Sequence, residues 1–284
     1  MSDHVTGTDN TGSSMPALFI GHGSPMNAIE ENRYSSSWRA LGATLPRPRA
    51  ILAVSAHWYI GATAVTAMAR PRTIHDFGGF PPELYGVEYP APGDPELAAE
   101  VADAVRPTAT TLDHDSWGLD HGTWSVLVHL FPDADVPVVQ LSIDARQPLD
   151  VHVQLGARLA PLRARGILVV ASGNVVHNLR AMDWSRPEGG TDWAHRFDDA
   201  ARELVTTAPG ELGRLADHPD LRLAAPTPDH LYPLCYLAGL AAATGETAET
   251  IVEGYAMGSL SMTAYALRAS DASDASDAST MTTA

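Results

Sequence analysis

Ile167-Leu168-Val169-Val170-Ala171-Ser172-Gly173-Asn174-Val175-Val176-His177 is an apolar, β-branched run that breaks at Ser-Gly-Asn and then delivers a histidine. A short apolar run without polar alternation reads as a strand buried on both faces, as in parallel sheets. Residues 17–20, 50–54 and 136–142 have the same character. Between these runs, apolar residues recur at helical spacing over 95–105, 123–131 and 152–165, and a further helix is expected over 192–206. Strands alternating with helices predict an α/β fold with a mostly parallel central sheet flanked by helices on both faces. In such a sheet the carboxyl ends of the strands share one edge, where ligands bind.

Histidines follow the predicted strands. His22 lies in Gly21-His22-Gly23-Ser24-Pro25, His57 in Ser55-Ala56-His57-Trp58, and His177 ends the stretch quoted above. His230 follows Thr227-Pro228-Asp229, which reads as the start of a helix over 229–242 with Thr227 as N-cap and Pro228 in the first turn. A lone histidine after a strand is more often a hydrogen-bonded loop residue. Joint placement at one sheet edge argues instead for a metal site at the carboxyl ends of the strands. Neutral imidazole suits Zn, Fe, Cu or Ni, and three protein ligands with open positions define a catalytic centre.

His121, between Gly118 and Gly122, is a candidate to touch substrate, its glycines letting a ligand approach the backbone. His75-Asp76-Phe77-Gly78-Gly79-Phe80-Pro81-Pro82 reads either as a lid over a flat ring or as a plain Gly/Pro turn. His4, His114, His129, His152, His195 and His218 have no convergent partner in sequence and are assigned structural or solvated roles.

Of the 284 residues, 45% are hydrophobic and 18% charged, enough apolar material for one domain, expected over 16–268. Residues 1–15 and the acidic, repetitive 269–284 are expected to be disordered tails. The net charge of −16 disfavours nucleic acid and anionic membranes as partners. Cys235 is the one cysteine, so a thiolate cage and intramolecular disulfides are excluded, and core packing is its expected role. With no apolar span of membrane length and no signal-peptide core, a cytoplasmic enzyme is expected. Gly21-His22-Gly23 has Met26 where a dinucleotide fingerprint needs glycine, and neither a phosphate loop, a nucleophile elbow nor a His-Glu-x-x-His helix is present.

The chain resembles the class III extradiol ring-cleaving dioxygenases, within them the 4,5-DOPA dioxygenase branch. The resemblance runs from about residue 17 to 262. It is carried by Gly21-His22-Gly23-Ser24-Pro25-Met26, Val54-Ser55-Ala56-His57-Trp58, the stretch from His75 to Pro81, Gly118-Leu119-Asp120-His121-Gly122, the stretch from Val170 to Leu179, Pro226-Thr227-Pro228-Asp229-His230 and Met257-Gly258-Ser259-Leu260-Ser261-Met262. It implies one divalent ion per chain, Fe(II) for catalysis or Zn(II) as bound, on His22, His57 and His230. It makes His177 the acid/base histidine and a further ligand in a resting zinc form. Beside these, we assign His121 as a second catalytic histidine and His75, Asp76 and Phe77 to substrate binding. Protocatechuate-type relatives carry a glutamate where this chain has His230, so an all-histidine set replaces two histidines and a carboxylate. The partners implied are a small catechol and dioxygen, and the sequence sets no oligomeric state. Two other readings fit the same histidines: a zinc-dependent hydrolase with Asp229 as base, and a catalytically silent metal-binding protein.

Overall fold

The computed structural model describes residues 13–268 and 270–271. In chain order the strands of its main sheet are β1 (Ala17–Gly21), β2 (Ala50–Ile60), β3 (Thr63–Thr66), β4 (Thr110–Asp113), β5 (Val138–Asp144), β6 (Ile167–Gly173), β7 (Glu249–Val252) and β8 (Ala264–Leu267). The longer helices are α1 (Arg33–Gly42), α2 (Pro95–Ala104), α3 (His121–Leu130), α4 (Leu149–Arg163), α5 (Asp192–Thr207) and α6 (Tyr232–Thr244). The eight strands lie in the order β4-β3-β5-β2-β6-β1-β8-β7. The central four, β5-β2-β6-β1, are mutually parallel, whereas β3 joins β5 and β8 joins β1 antiparallel.

Each central strand buries both faces, which is why the apolar runs lack alternation. Phe19 and Val169 enter one core with Leu97 of α2, Leu159 of α4, Phe197 of α5 and Leu234 of α6. Their neighbours Ile20 and Val170 enter the opposite core with Trp38 of α1 and Trp124 of α3. Helices therefore cover both faces, as the sequence predicts. α6 is buried around its whole circumference from Tyr232 to Ala241, including Cys235, as expected of a helix without a polar face. It crosses α4 backbone to backbone: a Cβ on Gly156 would lie 2.6 Å from Tyr236 Cα, and one on Gly239 would lie 2.6 Å from Ala157 N. Side chains larger than hydrogen would push these helices apart.

Three local differences from the sequence reading have physical causes. α3 starts at His121 rather than Thr123, because Asp120 caps it by accepting from Thr123 N at 3.2 Å. The helix expected over 229–242 is broken into a 3-10 turn, Pro228–His230, followed by α6, and Thr227 makes no side-chain cap. Pro233 accounts for the break, since in a continuous helix its ring would strike the carbonyl of Asp229 four residues back. β2 runs six residues past its expected end at Val54.

One buried side chain gathers the ends of the domain. Arg163 donates Nε to Met15 O at 2.6 Å and Nη2 to Arg268 O at 3.0 Å, and pairs with Glu246. Ser13–Ser14 pairs antiparallel with Ser270–Asp271, on either side of the domain expected over 16–268. Of the tails expected over 1–15 and 269–284, residues 1–12, 269 and 272–284 lie outside the described residues. Among the described residues no helix is long and apolar enough to cross a membrane.

Candidate metal centre

The central strands and the turn at Pro228–His230 interlock at one edge of the sheet. His22 leaves β1 with its N–H donating to Gly173 O at 3.0 Å, and its carbonyl accepts from Asn27 Nδ2 at 2.9 Å. His230 O accepts from Asn174 N at 2.9 Å, just past β6. His177 N donates to Ala224 O at 2.7 Å, and its residue bridges to Leu260.

His57 arrives differently. Val54 stands opposite Leu141 and Tyr59 opposite Ile143, so five steps along β2 match two along β5. The surplus is a bulge, which re-aims side chains within a continuing strand. His57 sits on it, and Gly122 makes room: a Cβ there would lie 2.7 Å from His57 Cδ2 and collide with Ser55 Oγ. A Cβ on Gly118 would likewise lie 2.9 Å from Arg72 Cγ. The glycines beside His121 therefore serve internal packing, a correction to the reading that they admit a ligand.

His22, His57 and His230 each offer a ring nitrogen, and these atoms lie within 4.8 Å of one another. The hydrogen bonds on the outer nitrogens fix which ones these are. Ser172 Oγ donates to Gly122 O at 2.5 Å, leaving it only lone pairs for His22 Nδ1 at 3.0 Å. His22 Nδ1 must then carry the proton. Carboxylate oxygens do the same for the other two: Asp76 Oδ2 is 3.1 Å from His57 Nδ1, and Asp229 Oδ2 is 2.6 Å from His230 Nδ1. Each Nε2 is left facing the shared space, with those of His22 and His57 3.1 Å apart.

Electrostatics agree with this arrangement. Burial, reinforced by the neighbouring imidazoles, lowers His22 and His230 well below the ordinary histidine value, so their lone pairs are free at neutral pH. Burial also lowers His57, but the Asp76 hydrogen bond and the Asp120, Asp76 and Asp229 charges outweigh it and leave its pKa raised. The carboxylates around His57 thus favour positive charge beside His22, and three converging imidazole nitrogens are the donor set of Zn, Fe, Cu or Ni. The residues fit a divalent metal.

His177 lies beside this group, its ring stacked on His230 with centroids 3.4 Å apart and planes 3° apart. Burial lowers its pKa to about 4. His121 approaches from the other side, 3.8 Å from the His57 ring. The three residues expected to meet substrate separate in space. Phe77 reaches inward, edge-on to His121 at 5.4 Å. Asp76 turns its carboxylate to His57 and to the backbone N of His121, at 2.9 Å for the latter. His75 sits one ring further out, donating Nε2 to Val87 O at 2.9 Å and flanked by Phe77, Tyr85 and Trp124. Sequence reading missed the orienting partner Ser172 and the tether Asn174, although both stand in the stretch that decides the fold.

Comparison with known proteins places these features in a family. The family described as the catalytic LigB subunit of aromatic ring-opening dioxygenase matches residues 16–267. A 4,5-DOPA dioxygenase extradiol of Escherichia coli (strain K12) is 52% identical over 253 residues, covering 87% of this chain and 93% of the relative. One of Beta vulgaris, of the same name, is 36% identical over 256 residues, covering 87% and 94%. The crystal structure of an uncharacterized Escherichia coli K12 protein superposes with TM-score 0.77 at 45% identity, over 89% of this chain and 99% of that one.

Proposed function

The chain belongs to the family of the catalytic LigB subunit of aromatic ring-opening dioxygenases, and on that premise we propose that it cleaves a catechol such as DOPA. Cleavage is extradiol, next to the two hydroxyl carbons, and both atoms of dioxygen enter a muconic semialdehyde-type product. The carrying observation is the convergence of His22, His57 and His230, each with its outer nitrogen anchored and its inner one free. The relatives' names support the substrate class.

His22, His57 and His230 would hold the ion, with Fe(II) the catalytic metal and Zn(II) a resting occupant. When bound, ferrous iron supplies a Lewis acid and a path for electrons between catechol and dioxygen. The protein's share is orientation, water exclusion and proton handling. His177, neutral at pH 7 because burial lowers its pKa to about 4, accepts a catechol hydroxyl proton and returns it later, the role of a positioned general base and acid. Its flat stacking on His230 suits this better than ligation. His121 stands across the centre as a second proton-handling group, and Phe77 gives the catechol ring an edge to pack against. His75 and Asp76 complete that wall from behind. The hydrolase reading asks for a free carboxylate base, whereas Asp229 turns Oδ2 to His230.

The test is oxygen uptake by chain loaded with Fe(II) under anaerobic conditions, offered DOPA and catechols of differing side chain. Uptake with a yellow, visible-absorbing product is expected. No uptake from any catechol, with iron verified in the protein, would overturn the proposal.

A further inference from the structure

We infer that Asp76 and Asp229 are positioning residues that return negative charge to an all-imidazole metal centre, each through the outer nitrogen of one ligating histidine. The inference rests on the metal reading above and deepens it.

Three neutral imidazoles leave the full double charge of a buried ion uncompensated, and buried charge without a counter-charge is costly. Here the counter-charge stands one hydrogen bond away. Asp229 Oδ2 lies 2.6 Å from His230 Nδ1, while its Oδ1 is buried with no partner among the described residues, so no other donor competes for this carboxylate. Asp76 Oδ2 lies 3.1 Å from His57 Nδ1. Its Oδ1 accepts from His121 N at 2.9 Å and is equally close to His121 Nδ1, which is not aligned to donate to it. His22 differs: its outer nitrogen meets the neutral Ser172, whose own proton is spent on Gly122 O.

The centre therefore has two carboxylate-backed donors and one neutral one. A carboxylate on the far N–H fixes the ring and makes it a stronger donor, and removing such a partner costs metal affinity about tenfold to hundredfold. Asp76 also organises His121, so its loss reaches beyond the metal, whereas the side-chain hydrogen bond of Asp229 goes to His230.

Asparagine keeps the shape and an accepting oxygen while removing the charge, so Asp76→Asn and Asp229→Asn isolate it. With Zn(II) alone as probe, in competition with a chelator, each variant should bind about tenfold to hundredfold more weakly than the parent, and Ser172→Ala should lose less than either. The Co(II)-loaded Asn variants should also show shifted visible absorption. Parental affinity in both Asn variants, or an equal loss in Ser172→Ala, overturns the inference. Should an Asn variant fail to fold, the Glu variant at the same position carries the test, with near-parental affinity expected and an Asn-like loss overturning it.

His22→Ala separates this inference from its premise. If it binds zinc as well as the parent, the metal reading itself falls; if it loses zinc while the Asn variants keep it, only the charge role falls. His57, Asp76 and His121 also lie within 4.8 Å of one another. A second bound equivalent that Asp76→Asn abolishes would make Asp76 a ligand and overturn its positioning role.

Discussion

Two settings of buried histidine in one chain show what separates a strut from a site. His152 in α4 is buried and filled on both sides, with Nδ1 3.0 Å from Tyr236 Oη and Nε2 3.2 Å from Asp144 O. His129 in α3 is likewise met by Asn27 O at 2.7 Å and Arg39 at 3.3 Å. His22, His57 and His230 are anchored on one nitrogen only, and the other faces rings of the same kind. Burial lowers the pKa of His152 and of His22 alike. Desolvation therefore does not mark the site; the direction of the unfilled lone pairs does.

The sharpest break of this comparison is by deletion. Alanine at His22, His57 or His230 should remove stoichiometric metal and cut turnover by roughly 10³-fold or more, since the ion supplies the chemistry. His152→Gln should leave metal content and turnover near parental while costing about 1–3 kcal/mol of stability. Metal analysis and denaturant melts read both, and metal loss in His152→Gln would erase the distinction.

His177→Ala comes next. It should retain metal yet lose about 10²- to 10⁴-fold in turnover, the usual worth of a positioned acid/base. Metal loss matching that of His22→Ala would make His177 a ligand.

A smaller effect follows from pH. Burial holds the His152 pKa at about 4 in the folded chain, against about 6.5 unfolded. Its contribution is complete above pH 6.5 and is lost as pH falls toward 4, at about 1.4 kcal/mol per unit and about 3 kcal/mol in all. His152→Gln should lose that share of the slope in melts of metal-loaded protein. Metal-loaded protein should be steeper than metal-free protein, because a bound ion keeps protons off its ligands in the folded state while the unfolded chain still takes them up.

The smallest effect is at the wall. Aromatic contacts are worth about 0.5–1.5 kcal/mol, so Phe77→Ala should raise the KM for catechols about two- to tenfold with a smaller change in kcat. An unchanged KM would detach Phe77 from substrate.

The central sheet was legible because Ile167–Gly173 and its parallel neighbours are buried on both faces and written in apolar residues. Its margins were not. Thr63–Thr66 and Thr110–Asp113 are threonine-rich and short, and Ala264–Leu267 carries alanines that suit a helix equally well. At the centre, His22 and His177 could be found from strand ends. His57 was found for a different reason than the one that holds, since no composition announces a bulge. The backing groups were hidden because Ser172 and Asp76 act across 150 and 19 positions of sequence on His22 and His57. Only Asp229 adjoins the histidine it supports.

Arg163 has a consequence for the chain as a thread. One guanidinium touches the main chain at both Met15 and Arg268, so two points 253 positions apart in sequence lie within a single side chain's reach. A short peptide could close the thread into a ring there, and a cut at an exposed turn such as that at Asp133 would yield a rearranged polypeptide with the same sheet. The order in which the histidines are synthesised is thereby separable from the order in which they meet.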